Sequence, residues 1–403
     1  MSENKQNLSP NQKAFLRLKR NKPAIFGFFI ILFSIFIAIF GYWLAPDNTP
    51  NANNQMIEIP LKNPGFTTLV LEYRKNTSIP DRSIFYTLLF GKPSPYKTIP
   101  ISDYNFLGDS IYIKKYNEDE FSLPEWMSYH IADVGYPLSV QNKNIVRKGD
   151  EISFNDNDNQ KHQLTIQTLY KTIESKQIYT KKFRLGTDQF GRDMLSRLIL
   201  GVRISLLVGL IAVFISLTIG LTLGALAGYF GGRIDNIILF LINTAWSIPT
   251  LLLVFAIVLA LGKSIVNIFF AVGLTMWVDV ARVVRGQVMS LKTIQFVEAA
   301  KTMGFSTRKI ISRHILPNIL GPVMVITAAN FATAILLEAG LSYLGFGIQP
   351  PTPSWGTMLN ENYGYAIGGK PLLALIPALA ILIMVLSFNL LGNGFRDALD
   401  VKE

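Results

Sequence analysis

The chain has 403 residues, 50% hydrophobic and only 16% charged, with a mean hydropathy of +0.32 and a formal net charge of +11. Soluble proteins carry about a quarter charged residues, so this balance excludes an ordinary soluble protein and points to membrane spans. With no cysteine, disulfides, thiol catalysis, cysteine-ligated metal and cysteine lipidation are excluded as well.

Residues 1–22 form a basic segment with Lys13, Arg17, Lys19, Arg20 and Lys22. A first transmembrane helix follows at 23–44, its uncharged run covering 24–44 and Pro23 suiting a first helical turn, where a missing N–H costs nothing. That run is longer than a signal peptide's apolar stretch of about 7–15 residues and is followed by no small-x-small cleavage site, so it reads as a retained anchor. Residues 45–185 are a polar insertion with strand-like stretches at 67–73 and 110–116. A hairpin is expected where 151–154 and 163–166 flank Asn155-Asp156-Asn157-Asp158-Asn159. Residues 186–395 form a five-helix core with apolar runs at 204–229, 236–261, 264–281, 318–337 and 372–395, and 396–403 is a short tail. Each run approaches the roughly 20 residues needed to cross a hydrocarbon core of about 30 Å. The run at 264–281 is the weakest because Asp279 sits near its end.

Cations set the direction of insertion. Arg282, Arg285, Lys292, Lys301, Arg308, Lys309 and Arg313 lie between the fourth and fifth spans, Arg233 between the second and third, and Arg396 after the last. The opposite short loops hold Lys263 and Lys370. With six crossings the cation-rich positions share the cytoplasmic side with both termini, and 45–185 is extracytoplasmic.

Several short patterns lead nowhere. Gly262-Lys263-Ser264 lacks the first glycine of a phosphate loop, since position 257 is Ile257. His130, His162 and His314 form no helix-spaced ligand pair. Asp150, Glu151, Asp156 and Asp158 lack a calcium loop's glycine and distal glutamate. Asp279 and Glu338 lie near span ends, where structural and functional roles compete. Ser216, Gly220, Gly224 and Gly228 make a small-residue stripe for close helix packing, within this chain or against a partner.

The segment 285–317 is the most informative. Glu298-Ala299-Ala300-Lys301-Thr302-Met303-Gly304 reads as a helix ended by a left-handed glycine. Phe305 is placed to pack back on it, and Ser306 to cap a second helix with apolar Ile310, Ile311 and Ile315, before Pro317 enters the fifth span. On geometry alone this is an ordinary helix-turn-helix linker.

The segment resembles the EAA coupling loop of ABC-importer permeases: Glu298, Ala299, Ala300, Gly304, Leu316 and Pro317 stand in register, with His314 where the pattern has isoleucine. Three further motifs agree: Leu185-Gly186-Thr187-Asp188-Gln189-Phe190-Gly191-Arg192-Asp193, Gly340-Leu341-Ser342-Tyr343-Leu344-Gly345-Phe346-Gly347 and Gly392-Asn393-Gly394-Phe395-Arg396-Asp397. Together they are similar to the C-type permease subunit of oligopeptide and dipeptide importers, over roughly 8–45 and 185–400. The insertion exceeds the family's usual first outer loop and is assigned to no family.

The resemblance implies an all-α polytopic membrane protein of six transmembrane helices with the type I ABC importer permease core; the strand-like stretches of 45–185 add an α+β extracytoplasmic insertion between the first two helices. It implies a bacterial plasma membrane location, a second permease subunit, two ATPase domains holding ATP and Mg, an extracytoplasmic substrate-binding protein and a peptide substrate. The chain itself would hold no cofactor, no metal and no catalytic residue, and nucleic acid is no partner. Glu298, Ala299, Ala300, Gly304 and Pro317 would couple to the ATPases; Gly220, Gly224 and Gly228 would pack helices. Nickel and glycoside importers share this permease type, so the substrate stays open. The rival reading is a membrane sensor or adaptor that binds an extracellular ligand through 45–185. A third reading, an intramembrane enzyme, is disfavoured by the lack of paired carboxylates, a Ser–His pair or a His–Glu–x–x–His motif in the spans.

Overall fold

The structure is a computed structural model that describes residues 10–77, 79, 80, 82–118, 125–138 and 145–399. The outermost residues of the expected segments 1–22 and 396–403 lie outside it. In chain order the elements begin with α1 (Pro10–Arg20) and α2 (Lys22–Leu44). Next come β1 (Phe66–Arg74), α3 (Ile84–Phe90), β2 (Tyr96–Leu107), β3 (Ser110–Lys115), β4 (Trp126–His130) and α4 (Ile131–Gly135). Then follow β5 (Val146–Lys148), β6 (Glu151–Asn155), β7 (Lys161–Thr165), α5 (Ile166–Lys176) and β8 (Ile178–Phe183). The rest is helical: α6 (Met194–Phe230), α7 (Gly232–Trp246), α8 (Thr250–Leu261), α9 (Ile265–Leu291), α10 (Gln295–Thr302), α11 (Thr307–Lys309), α12 (Leu320–Tyr343), α13 (Trp355–Ile367) and α14 (Leu372–Leu399). The chain divides into two compact units.

One unit comprises Ile39–Leu200 and Gly364–Pro371. Its five-stranded antiparallel sheet runs β4-β3-β2-β1-β8, and a three-stranded sheet runs β5-β6-β7. Alternating side chains of β1, β2 and β3 bury Leu71, Ile99, Ile101, Ile111 and Ile113 on one face. Ile166, Leu169 and Ile173 of α5 cover that face, joined by Ile152 and Phe154 of β6. The hairpin β6–β7 pairs Ile152 with Leu164 and Asn155 with Lys161 around the Asn/Asp turn. The closing partner of β1 is β8, with Phe66 opposite Phe183.

The motif 185–193 is folded as a buried knot in this unit. Asp188 accepts hydrogen bonds from the backbone N–H groups of Phe190 and Arg192 and from Arg192 Nε at 2.6 Å. Arg197 Nε stands 3.6 Å from the same carboxylate, and all three charged side chains are buried. Buried charges persist only when paired, so charge-assisted bonds fix the approach to α6. Asp193 caps that helix by accepting from the Ser196 N–H and hydroxyl.

The other unit is built from the described parts of Met1–Ala38, Gly201–Tyr363 and Leu372–Glu403. Small residues set its helix spacing. A Cβ on Gly27 of α2 would stand 2.5 Å from the Ser387 carbonyl of α14. On Gly273 of α9 it would stand 2.8 Å from Ile215 of α6. The rings of Phe331 (α12) and Phe388 (α14) stack at 4.1 Å. Among the described residues, five helices are long and apolar enough to cross a membrane, or six if the bent pair α7–α8 is one span.

The run 236–261, expected as one span, is made of two helices bent by 90°. Pro249 supplies the reason: it has no N–H for the helical ladder and disfavours a helical residue before it. The fifth span also differs. The second helix of 285–317 does not end before it; a helical path runs over Thr307–Tyr343. Within that path Ile310–Ile315 is π-helical and Leu316–Ile319 is a 3₁₀ turn. Pro317 cannot donate to the carbonyl four residues back, so the ladder widens and then tightens around it.

Candidate functional site

The segment 291–319 folds as a short helical knob. In α10 the chain reads Gln295-Phe296-Val297-Glu298-Ala299-Ala300-Lys301-Thr302, and the 3.6-residue period turns Val297 and Ala300 inward. The helix stops at Gly304, whose φ is 77°. The Phe305 N–H donates to the Ala300 carbonyl at 3.1 Å and the Gly304 N–H to Lys301 at 2.9 Å. This is a Schellman closure, which satisfies two carbonyls that a helix end otherwise leaves open. A Cβ at Gly304 would meet no atom within 4 Å, so backbone conformation alone demands glycine there.

The turn is braced from both sides. The Phe305 ring stacks on His314 at 5.7 Å with an interplanar angle of 15°. Lys309 Nζ lies 4.0 Å over the same ring. His314, the departure from the family pattern, thus closes the knob by stacking. Ser306 occupies the N-cap position of α11, but its side chain makes no capping hydrogen bond, contrary to expectation. The Asn318 side chain donates to the His314 carbonyl at 2.6 Å.

Beneath the knob lies one apolar cluster: Val297, Ala300, Ile310, Ile315 and Ile319 pack with Ala225 of α6 and Val280, Val284 and Val288 of α9. The same valines receive the glycine stripe. A Cβ on Gly220 would stand 2.5 Å from Val280 Cβ, on Gly224 2.9 Å from Val284 Cβ, and on Gly228 2.8 Å from Val288 Cβ. The two sets of candidate residues therefore meet on α9. Close approach without side chains to interlock is what small-residue stripes provide between membrane helices.

The candidate residues divide by face. Glu298, Ala299 and Gly304 are exposed, whereas Ala300 is buried and acts through packing. Pro317 is exposed but sits in the helical segment after the turn, not on α10. The sequence reading missed Phe296 and Met303, both exposed apolar side chains. With Ala299 they stand at spacing i, i+3 and i+7, one stripe along a helix. Their signal was present in the apolar periodicity of 296–303.

Two acidic residues cited from the sequence are also resolved. Glu338 is fully buried, and the Ser342 hydroxyl donates to it at 2.7 Å. The same hydroxyl oxygen accepts the Ile348 N–H, so the carboxyl orders the loop after α12. Asp279 is half-buried in α9. Lys263, the false phosphate-loop lysine, donates to the Gly345 carbonyl at 3.1 Å. Among the described residues, no group of three or more His, Asp or Glu could hold a metal ion.

A family model described as a binding-protein-dependent transport system inner membrane component matches residues 220–402, and one for the N-terminal transmembrane domain of oligopeptide transport permease C matches 9–64. The oligopeptide transport system permease protein OppC of Escherichia coli (strain K12) is 45% identical over 218 residues, covering 54% of this chain and 72% of the relative. The glutathione transport system permease protein GsiD of Pectobacterium atrosepticum is 42% identical over 218 residues, with the same two coverages. Among solved structures, a chain of the MetNI methionine ABC transporter aligns with 51% of this chain and 97% of its own, at 20% identity and a TM-score of 0.42.

Proposed function

This chain belongs to the family of binding-protein-dependent transport system inner membrane components, and on that premise we propose that it forms half of the pathway of an ATP-driven importer of short peptides. Relatives named for oligopeptides and for glutathione support a peptide substrate. In this reading six segments cross the bacterial plasma membrane, α7 and α8 together making the third. Both termini face the cytoplasm, the insertion 45–185 lies outside, and the core 186–395 carries the coupling loop 285–317. A second permease subunit, an extracytoplasmic substrate-binding protein and two ATPase domains complete the assembly. ATP and Mg bind on the ATPase domains, where hydrolysis takes place.

The observation that carries the reading is the knob itself. Its free face offers Phe296, Ala299 and Met303 beside Glu298, an apolar stripe suited to a groove on a partner. Its buried face shares one cluster with α6 and α9. A push on α10 is thereby felt by both helices, because a packed core shifts between discrete arrangements rather than flexing. ATPase closure would bias one arrangement and a docked binding protein the other.

Purification of the tagged chain from its native membranes in mild detergent tests the assembly. Recovery of a second permease, an ATPase and a peptide-binding protein is expected. Recovery of the chain alone after gentle extraction would overturn the importer reading and favour a sensor that works through its insertion.

A further inference from the structure

Helix α3 of the insertion reads Ile84-Phe85-Tyr86-Thr87-Leu88-Leu89-Phe90. A soluble surface rarely groups large apolar side chains, yet Ile84 is 70% exposed, Phe85 79%, Leu89 50% and Phe90 55%. The helix is held firmly: the Ser83 hydroxyl caps its start, and the Gly91 N–H donates to the Thr87 carbonyl. The exposure is therefore a built feature of the unit.

Its position is fixed by the residue that follows it. Gly91 has φ 78°, and a Cβ there would stand 2.7 Å from the Tyr42 ring and 2.8 Å from the Asn48 carbonyl. The Lys92 N–H donates to that same carbonyl at 3.0 Å. Tyr42 belongs to the final turn of α2, the first apolar helix, so the end of α3 abuts the point where α2 leaves its apolar run. Trp43 and Leu44 of that turn are exposed as well, so the apolar surface of α2 continues to its end. Aromatic residues favour this level, where a bilayer meets water.

We propose that α3 lies in the membrane interface, with Ile84, Phe85, Leu89 and Phe90 entering the acyl region beside the end of α2. At about 1.5 Å per residue, seven residues span about 10 Å, enough to lie along a bilayer surface and far too little to cross it. Charge agrees with the assignment. Arg82 precedes the helix, its guanidinium 4.1 Å over the Tyr86 ring, and Lys92 follows it. An apolar face bracketed by cations is the pattern of helices that rest on anionic lipid. The proposal requires only that α2 enters a bilayer, and stands or falls independently of peptide transport.

The cysteine-free chain makes the test direct. Phe85→Cys and Leu89→Cys, each labelled with bimane, are reconstituted as the intact assembly in phosphatidylethanolamine–phosphatidylglycerol vesicles. Phe33→Cys on α2 serves as the lipid reference and Gln160→Cys in the hairpin turn as the aqueous one. Nitroxide-bearing lipid should quench positions 85 and 89 to the level of position 33 and several-fold more than position 160, while aqueous iodide should leave them bright. Iodide quenching equal to that of position 160 would overturn the proposal, because the helix would then face water. Protection from both quenchers would overturn it equally, because a protein would then cover the helix.

Discussion

Arg285 grips Asp235 through two parallel hydrogen bonds, Nε to Oδ1 at 2.5 Å and Nη2 to Oδ2 at 2.6 Å, and so ties the first turn of α7 to α9. Arg282 adds a second tie on the same seam, with its guanidinium 3.5 Å over the Trp246 ring. Charge-assisted bidentate pairs are the strong class of hydrogen bond. Asp235→Ala should lower the stability of the detergent-solubilised chain by about 1–3 kcal/mol. In a double-mutant cycle, Arg285→Ala should cost much less once Asp235 is gone; additive losses would show that the pair does not act as a unit.

Gly304→Val places a β-branched residue in the left-handed region, at a cost of about 1–3 kcal/mol concentrated in the Schellman turn. Membrane insertion should persist while uptake is lost and the ATPase no longer responds to substrate. Gly304→Asn, which tolerates this backbone better, should retain part of both activities. Normal uptake by the valine variant would refute the account of the knob.

Substitution on the glycine stripe should act through overpacking. A Cβ at Gly224 would stand 2.6 Å from the Ala281 carbonyl, whereas one at Gly286 would meet nothing within 4 Å. Gly224→Leu is expected to destabilise by about 1–3 kcal/mol or to force α6 from α9. Gly286→Leu provides the control, and equal thermal shifts for the two would remove the packing argument.

Phe296→Ser combined with Met303→Ser leaves the buried cluster of Val297, Ala300 and Ile310 intact, and Phe296 is itself 39% exposed, so the melting temperature should fall only slightly. Co-purification of the ATPase should fall. Retention of the ATPase at the wild-type level would mean that the stripe is not the docking face.

In the hairpin turn, burial pushes the Asp156 carboxyl up, but His162, 2.8 Å away, and the N–H groups of Asp158 and Gln160 outweigh it and hold the group below its ordinary range. A carboxyl depressed in the folded state contributes stability that is complete above the unfolded value, about 3.9. That contribution is lost as pH falls through the lower folded value. Amide exchange in β6 and β7 should therefore be slower in the wild type than in Asp156→Asn at neutral pH, and the difference should vanish in strong acid. A difference that grew with acidity would contradict the sign of this effect.

What was legible from the sequence follows from the range of each interaction. The apolar runs and the turn at Gly304 are local signals, and both appear in the structure. The bend of α7 against α8 was hidden because hydropathy is continuous across 236–261, although Pro249 marked the place. The sheet that joins β1 to β8, Phe66 opposite Phe183, depends on partners more than a hundred residues apart, which no local pattern encodes. Asp235 with Arg285, 50 residues apart, and the Phe305–His314 stack across the turn are likewise set by the fold. The sequence shows a lone acid, a cation-rich loop and an off-pattern histidine; only the fold makes them pairs.

The path from the knob into α12 passes through a π turn and then a 3₁₀ turn, one wider and one tighter than the α-helix. Both coils are right-handed, one underwound and the other overwound, so their shared boundary sets the angle at which α12 leaves the knob. If one lengthens by a residue at the expense of the other, everything downstream rotates about the helix axis while the chain stays helical. A shift of that boundary would turn α12 from its base and carry Glu338 and the loop it orders around with it.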